Sequence, residues 1–220
     1  MRKIPKSACV LLSGGQDSTT CLAWAREVFD DLYALTIYYG QRHDKEIEAA
    51  KKVARLAGVK KHVIVEVPID QLTTSDMLKG GGDIHEVDGL PSSFVPARNL
   101  IFSTLAASFM YPLGVSDLVI GVSQVDFSGY PDCRKATIVA MQETLRLGLD
   151  RQEFTIHAPL IDLTKAETVY MAIGIPGAWN MLACSWTCYY GGEAPCGECP
   201  ACVLRAQGFD ETGYPDPALK

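Results

Sequence analysis

Ser13-Gly14-Gly15-Gln16-Asp17-Ser18 is where residue type and spacing say most about chemistry. The apolar run Ala8-Cys9-Val10-Leu11-Leu12 before it predicts a strand, and Leu22, Ala25, Val28 and Phe29 after it recur on one helical face. Paired glycines between a strand and a helix make a site for phosphate. They allow a tight turn, and without side chains they let oxyanions reach backbone N–H groups. The helix adds unpaired N–H groups and the positive end of its dipole. Ser13, Ser18, Thr19 and Thr20 offer hydroxyl donors, and Asp17 either caps the helix or helps hold a magnesium ion. An ordinary strand-to-helix turn is the plainer alternative.

No lysine follows the glycines, so the loop is not the Gly-Lys-Ser/Thr type that grips β- and γ-phosphates. It resembles the PP-loop, Ser-Gly-Gly-x-Asp-Ser, of enzymes that split ATP between its α and β phosphates. Five fixed letters would arise by chance in roughly a few in ten thousand chains of this length. Chance alone is a poor account of the motif.

Eight cysteines in a chain with no secretion signal need a reason other than disulfides. Cys188, Cys196, Cys199 and Cys202 are spaced C-x7-C-x2-C-x2-C. Four thiolates satisfy tetrahedral zinc with no open position, which predicts one structural zinc per chain. Gly191, Gly192, Gly197 and Pro200 let the chain turn so that the sulfurs converge, and Gly197 and Pro200 argue against a regular helix through the cluster. Buried structural cysteines, a redox pair or an iron–sulfur cluster are the alternatives. Cys9 and Cys21 lie in apolar stretches and read as core. Cys184, four residues before Cys188, lacks a nearby partner at ligand spacing. Cys133 stands between Asp132 and Arg134, and a thiol beside a guanidinium can become reactive. A polar loop position without catalytic duty is the other reading.

The elements that must position these residues alternate along the chain. Strand-like segments fall near 8–12, 32–38, 62–67, 117–122 and 154–157, and helix-like segments near 18–29, 44–57, 98–111, 134–147 and 164–172. Ile47, Ala50, Val53, Ala54 and Ala57 share a helical spacing, with Gly58 as the stop. The alternation predicts an α/β fold with a Rossmann-like parallel sheet and helices on both faces. Residues 1–180 form that domain, and 181–220 form a small zinc-binding segment packed on it. Ligands in such folds bind beyond the carboxyl ends of the strands.

The loops at those ends are 13–18, 38–43, 68–96, 123–134 and 158–165. They carry Tyr39-Gly40-Gln41-Arg42-His43, then Arg98 and Asn99 at a helix start, and then Asp126-Phe127-Ser128-Gly129-Tyr130-Pro131-Asp132-Cys133-Arg134. Lys165, in Leu163-Thr164-Lys165-Ala166-Glu167, stands in a helix's first turn. That is the wrong sign for the helix dipole, and a nearby phosphate would repair it. Lys79 to Pro91, with three consecutive glycines, reads as a mobile loop or lid.

Composition is consistent with one α/β domain and a small appendage. The 220 residues are 48% hydrophobic and 21% charged, and nothing in that balance suggests disorder. A net charge of -6, from 20 Lys+Arg against 26 Asp+Glu, offers no broad basic surface to nucleic acid. The basic stretch from Met1 to Lys6 has no cleavage pattern after it, and no segment is long and apolar enough to span a bilayer. A cytoplasmic protein is expected.

In order after the glycine loop come the Tyr39–His43 motif, Val95-Pro96-Ala97-Arg98-Asn99, the Asp126–Arg134 motif, Thr164-Lys165-Ala166-Glu167 and the cysteine cluster. This series resembles the 7-cyano-7-deazaguanine synthase family of queuosine biosynthesis, from about Cys9 to Arg205. The additional Cys184 is the one departure. The resemblance implies ATP binding across Leu11, Leu12, Ser13, Gly14, Gly15, Gln16, Asp17, Ser18, Thr19, Thr20 and Cys21. It implies zinc on Cys188, Cys196, Cys199 and Cys202, and a homodimer. It also implies conversion of 7-carboxy-7-deazaguanine, ammonia and two ATP into the nitrile, with AMP and pyrophosphate released.

That chemistry suits the residues. A carboxylate must lose an oxygen, and adenylation turns that oxygen into a leaving group; phosphoryl transfer then depends on positioning and charge stabilisation. Lys165 and Arg98 or Arg134 are assigned to phosphate charge, with magnesium accompanying ATP. Asp132 or Asp126 is assigned to the guanine-like N–H edge, and Phe94, Phe127 or Tyr130 to stacking. Two other classes fit parts of the pattern. One is a PP-loop enzyme modifying tRNA, with Cys133 as sulfur carrier. The other is a zinc-stabilised nucleotide-binding module, or a relative that joins the deazapurine to a protein.

Overall fold

Ala8, Cys9 and Val10 are wholly excluded from water, so the strand before the glycine loop is covered on both faces. A strand buried on both sides belongs in the middle of a parallel sheet flanked by helices. The computed structural model describes residues 6–124 and 130–219 and has that architecture. In chain order β1 (Ser7–Leu11), α1 (Gln16–Val28), β2 (Asp31–Tyr38), α2 (Lys45–Ala57) and β3 (Lys61–Glu66) are followed by a short hairpin, β4 (Glu86–Val87) and β5 (Leu90–Pro91). Then come α3 (Arg98–Met110), β6 (Asp117–Val119), α4 (Lys135–Leu149), β7 (Thr155–His157), α5 (Lys165–Ile173), α6 (Ala178–Leu182) and α7 (Pro200–Thr212).

The main sheet has the order β3-β2-β1-β6-β7, and all its pairings are parallel. Side chains alternate between its faces. Ala8, Val10, Leu12 and Ala34 pack with Leu22, Val53, Val169 and Met181 on the side of α1, α2, α5 and α6. Cys9, Leu35, Ile37 and Leu118 pack with Ala106, Met110, Ile138 and Met141 on the side of α3 and α4. Helices therefore cover both faces, as the alternation of segments predicts.

The chain winds outward through β2 and β3, then returns to build β6 and β7 on the other side of β1. That reversal opens a crevice at the carboxyl ends of β1 and β6, the place where such sheets bind ligands. Gly121, just beyond β6, lines it. A Cβ there would lie 2.9 Å from the Ser18 nitrogen, so only glycine lets this end of the sheet meet the start of α1.

The C-terminal part departs from the sequence expectation in one respect. No regular helix runs through the cysteine cluster, as expected, but a helix starts inside it: Pro200 is the first residue of α7, Cys199 is its N-cap, and Cys202 alone of the four is helical. Proline is well placed there, because its missing N–H would have had no intrahelical acceptor. Helix α7 packs on α5, and α6 packs on α1 and α2. No helix among the described residues is long and apolar enough to cross a membrane.

Candidate active site

The glycine loop is closed by its own hydroxyls. Gly14 N donates to Ser18 Oγ at 3.2 Å, Gly15 N donates to Ser13 Oγ at 3.2 Å, and the two hydroxyls lie 3.0 Å apart. Gly14 has φ +90°, and a Cβ on it would sit 2.3 Å from the Glu46 carbonyl oxygen and 2.6 Å from Ala50 N. Both the dihedral and the close pass over α2 require glycine. Gly15 is the N-cap of α1 and carries no capping side chain, so the N–H groups of Asp17 and Ser18 keep their donors for another acceptor.

Two adjoining cavities, each about 210 Å³, open beside this loop. Leu11, Leu12, Ser13 and Ser18 line the first, together with Ile37, Tyr39, Met77 and Phe102. Ser13, Gly15, Gln16, Asp17 and Ser18 line the second, with Cys133, Lys165 and Thr187. Glu46, Arg98, Gly121, Tyr130 and Tyr189 belong to both. The remaining loop residues lie outside these cavities. Thr19, Thr20 and Cys21 are buried in α1, where Thr20 Oγ1 donates to Gln16 O at 3.0 Å and burial raises the Cys21 thiol pKa.

Lys165 and Arg98 both line the second cavity beside the loop. Lys165 Nζ lies 2.9 and 3.0 Å from the carboxylate oxygens of Asp17. Thr164 caps α5 with Glu167 in a reciprocal capping box, which fixes Lys165 as the first helical residue. The charge of the wrong sign for the α5 dipole is met here by Asp17. Arg98 opens α3 and donates to Tyr39 Oη at 3.3 Å. Burial works against its charge, and the surrounding Tyr39, Tyr130, Asp132 and Cys133 more than offset that.

Of the other assigned residues among those described, Tyr130 lines both cavities and the rest sit elsewhere. Arg134 is exposed at the N-cap of α4, outside both cavities. Asp132 is buried, and its Oδ2 accepts the Asn99 N–H at 3.0 Å, so it closes the start of α3. Asn99 Nδ2 in turn reaches Cys133 Sγ at 3.4 Å. Tyr130 Oη pairs with Ser93 Oγ at 2.7 Å, and Phe94 packs 5.5 Å from the Tyr130 ring. Asp126 and Phe127 lie outside the described residues.

The cysteine segment is a wall of this site. Trp186 N donates to Gly14 O at 2.9 Å, Gln16 N donates to Thr187 Oγ1 at 3.3 Å, and Tyr189 lines both cavities. Arg205 anchors the wall from α7. It donates to Thr187 Oγ1 at 2.8 Å and Ser185 Oγ at 2.9 Å while pairing with Asp216. Thr187, Tyr189, Glu46 and Arg205 were not legible as site residues; their spacing from the loop motifs carries no signal.

The sulfurs of Cys188, Cys196, Cys199 and Cys202 all lie within 4.8 Å of one another. Backbone N–H groups of Tyr190 and Cys196 point at Cys188 Sγ, and those of Cys199 and Cys202 at Cys196 and Cys199 Sγ, at 3.3–3.4 Å. Such donors stabilise thiolates, so the four residues fit a divalent metal with a closed thiolate shell. Cys184 stays apart, packed against the main core.

A family model described as queuosine biosynthesis protein QueC matches residues 7–213. The 7-cyano-7-deazaguanine synthase of Chromobacterium violaceum is 48% identical over 98% of this chain and 94% of its own length. The proteins of that name from Laribacter hongkongensis and Oceanobacillus iheyensis are 47% and 43% identical, over 98% and 96% of this chain and 95% and 97% of their own lengths. Among solved structures, a 4-thiouridine synthetase–RNA complex with bound ATP shares the fold at a TM-score of 0.50 and 18% identity, over 93% of this chain and 53% of that one. The glycine loop at the sheet's reversal, the four-cysteine wall beside it and these full-length similarities agree: the chain belongs to the 7-cyano-7-deazaguanine synthase family.

Proposed function

We propose that the chain joins ammonia to 7-carboxy-7-deazaguanine and dehydrates the product to the nitrile, using two ATP. A carboxylate oxygen of the substrate attacks the α-phosphorus of ATP, and pyrophosphate leaves. Ammonia attacks the acyl carbon, and AMP departs with the oxygen to give the amide. The amide oxygen then takes a second adenylyl group, and loss of AMP and a proton leaves the nitrile. The observation that supports this most directly is the glycine loop, open to a cavity lined by both Lys165 and Arg98.

Each residue has a task in this scheme. The N–H groups at the start of α1, with Ser13 and Ser18, hold the departing pyrophosphate. Lys165 shares its three donors between Asp17 and phosphate oxygens. Arg98, fixed by Tyr39, faces the α-phosphate or the substrate carboxylate. Tyr130 and Phe94 offer flat surfaces to the ring. Arg134 meets phosphate charge in this reading only if the ligand reaches the start of α4, and Asp132 serves the ring's N–H edge only through the oxygen that Asn99 does not engage. Magnesium would enter with the nucleotide, and Asp17, in the glycine loop itself, is the carboxylate available to it.

The four thiolates hold one zinc ion in this reading, and segment 181–220 is the metal-bearing unit packed on the domain 1–180. The protein acts on small molecules in the cytoplasm as a homodimer, without nucleic acid. The test is mass spectrometry of the products formed from 7-carboxy-7-deazaguanine, ammonium and ATP. AMP, pyrophosphate and the nitrile are expected, and the 7-amido compound should give the same nitrile from one ATP without ammonia. Release of ADP and phosphate would refute the scheme.

A further inference from the structure

Glu46 stands where the two cavities meet, and among the described residues its carboxylate makes no hydrogen bond and no ion pair. It is half-buried, the second residue of α2, with its backbone carbonyl against Gly14. An ionised carboxylate accepts through about four lone-pair sites, and partial burial without a donor is costly. A cationic or donor-rich ligand would relieve that cost. Ser13 and Ser18, at the phosphate end, line the same two cavities.

The chemistry proposed above needs such a group. At neutral pH ammonia in water is mostly ammonium, which has no lone pair with which to attack an acyl carbon. The other charged groups that line the cavities do not serve: Lys165 and Arg98 are cations, and Asp17 is held by Lys165. We propose that Glu46 binds the ammonium ion and accepts its proton, delivering ammonia to the activated acyl group.

The inference rests on the adenylation reading. In the step, a proton passes from ammonium to the Glu46 carboxylate. The freed nitrogen pair forms the C–N bond, the C–O bond to AMP breaks with its electrons going to AMP, and the nitrogen sheds its surplus proton to solvent. Glu46 then returns its own proton to water.

The surroundings suit a group that changes charge near neutrality. Burial pushes the Glu46 carboxyl up to about 7, with Arg98 pulling the other way. Around the cavities Arg98 comes from α3, Tyr39 from the end of β2, and Tyr130 and Tyr189 from the later loops. Asp17, Cys133 and Lys165 line the second cavity with Glu46. On its own segment His43, Asp44 and Lys45 precede it, and burial lowers the His43 pKa.

The test separates activation from amination. ATP–pyrophosphate exchange with 7-carboxy-7-deazaguanine, run without ammonium, reads the first step alone. Amide formation against ammonium concentration, from pH 6 to 9, reads the second. In Glu46→Gln, exchange should persist within about threefold, while amide formation near pH 7 falls by about 10²-fold or more. The defect should shrink as pH rises and free ammonia accumulates. Glu46→Asp, which keeps a titrating carboxyl, should lie between wild type and Glu46→Gln. Unchanged amination in Glu46→Gln overturns the proposal. So does an equal loss in both assays with wild-type folding by circular dichroism, which would place Glu46 in nucleotide or metal handling. Wild-type protein that shows no carboxylate-dependent exchange would instead refute the adenylation reading beneath it.

Discussion

The ammonium of Lys165 spans both carboxylate oxygens of Asp17, at 2.9 and 3.0 Å, and so ties the first turn of α5 to the first turn of α1. Each helix start is a region of positive potential, so Asp17 is favourable where it stands and Lys165 is not. The pair is largely sheltered, with side chains 14% and 29% exposed. Phosphate arriving at α1 would meet a lysine already aimed at it.

Lys165→Met should therefore lower kcat by about 10²-fold or more, in the range that one positioned charge supplies at a phosphoryl site. It should also destabilise the fold by about 1–3 kcal/mol, because a sheltered carboxylate loses its partner. Adding Asp17→Asn should recover much of the stability and none of the activity. Denaturant unfolding of the single and double variants, beside steady-state kinetics, checks both halves. Stability that adds across the two sites would argue against coupling.

Removing the metal should disable the glycine loop before it unfolds the sheet. Trp186 N holds Gly14 O, and Trp186 Nε1 donates to the Cys188 carbonyl at 2.9 Å, so the metal segment and the loop share one residue. After chelation we expect lost ATP affinity and a shift in Trp186 fluorescence, with far-UV circular dichroism largely kept. Trp186→Phe identifies the signal, since Trp24 and Trp179 also emit. Full nucleotide affinity in metal-free protein would sever the link.

The sheet was legible because its signals are local. Leu11 to Ser18 states strand, turn and helix in eight residues, and the five parallel strands and the helices between them fall within a few residues of their expected positions. The C-terminal helices were not. Pro200 looked like a helix breaker, yet at the first helical position it costs no hydrogen bond, and periodicity alone cannot tell an interior proline from an initiating one. Lys165 stands out in the sequence for a charge at odds with its helix, and the partner that resolves the conflict, Asp17, is 148 residues away. Glu46 carries no sequence signal, because an acid in the first turn of a helix is ordinary; its placement between two cavities comes from tertiary structure alone.

Asp132 illustrates how a polar residue in a dense motif can serve the fold first. Its Oδ2 accepts from Asn99 N, while Ala97, the residue preceding α3, has no capping side chain. Asp132→Ala should then cost about 1–2 kcal/mol of stability, as loss of a helix cap does. Asp132→Asn keeps an acceptor and should cost less. Thermal unfolding of both variants decides the structural part. Kinetics on the acid and the amide decide the rest: an equal weakening of both by Asp132→Asn, at unchanged stability, would restore this residue to the ring's N–H edge.

Glu46 makes a prediction about stability that needs no substrate. Its carboxyl is raised by burial from 4.5 to about 7 in the folded protein. Between those values the folded state therefore binds more protons than the unfolded state. By linkage, stability contributed at this site is fully present below about pH 4.5 and is lost as pH rises through 7. Glu46→Gln has no such titration and remains neutral throughout. The variant should gain on the wild type across that window and hold a constant advantage above it, on the order of 2 kcal/mol once partial solvent access is allowed for. Urea unfolding of both proteins at half-unit steps from pH 4 to 8 measures the difference directly. A difference that is flat across the window would mean that the Glu46 carboxyl titrates like an exposed one, and would remove the physical basis for using it to take a proton from ammonium near neutrality.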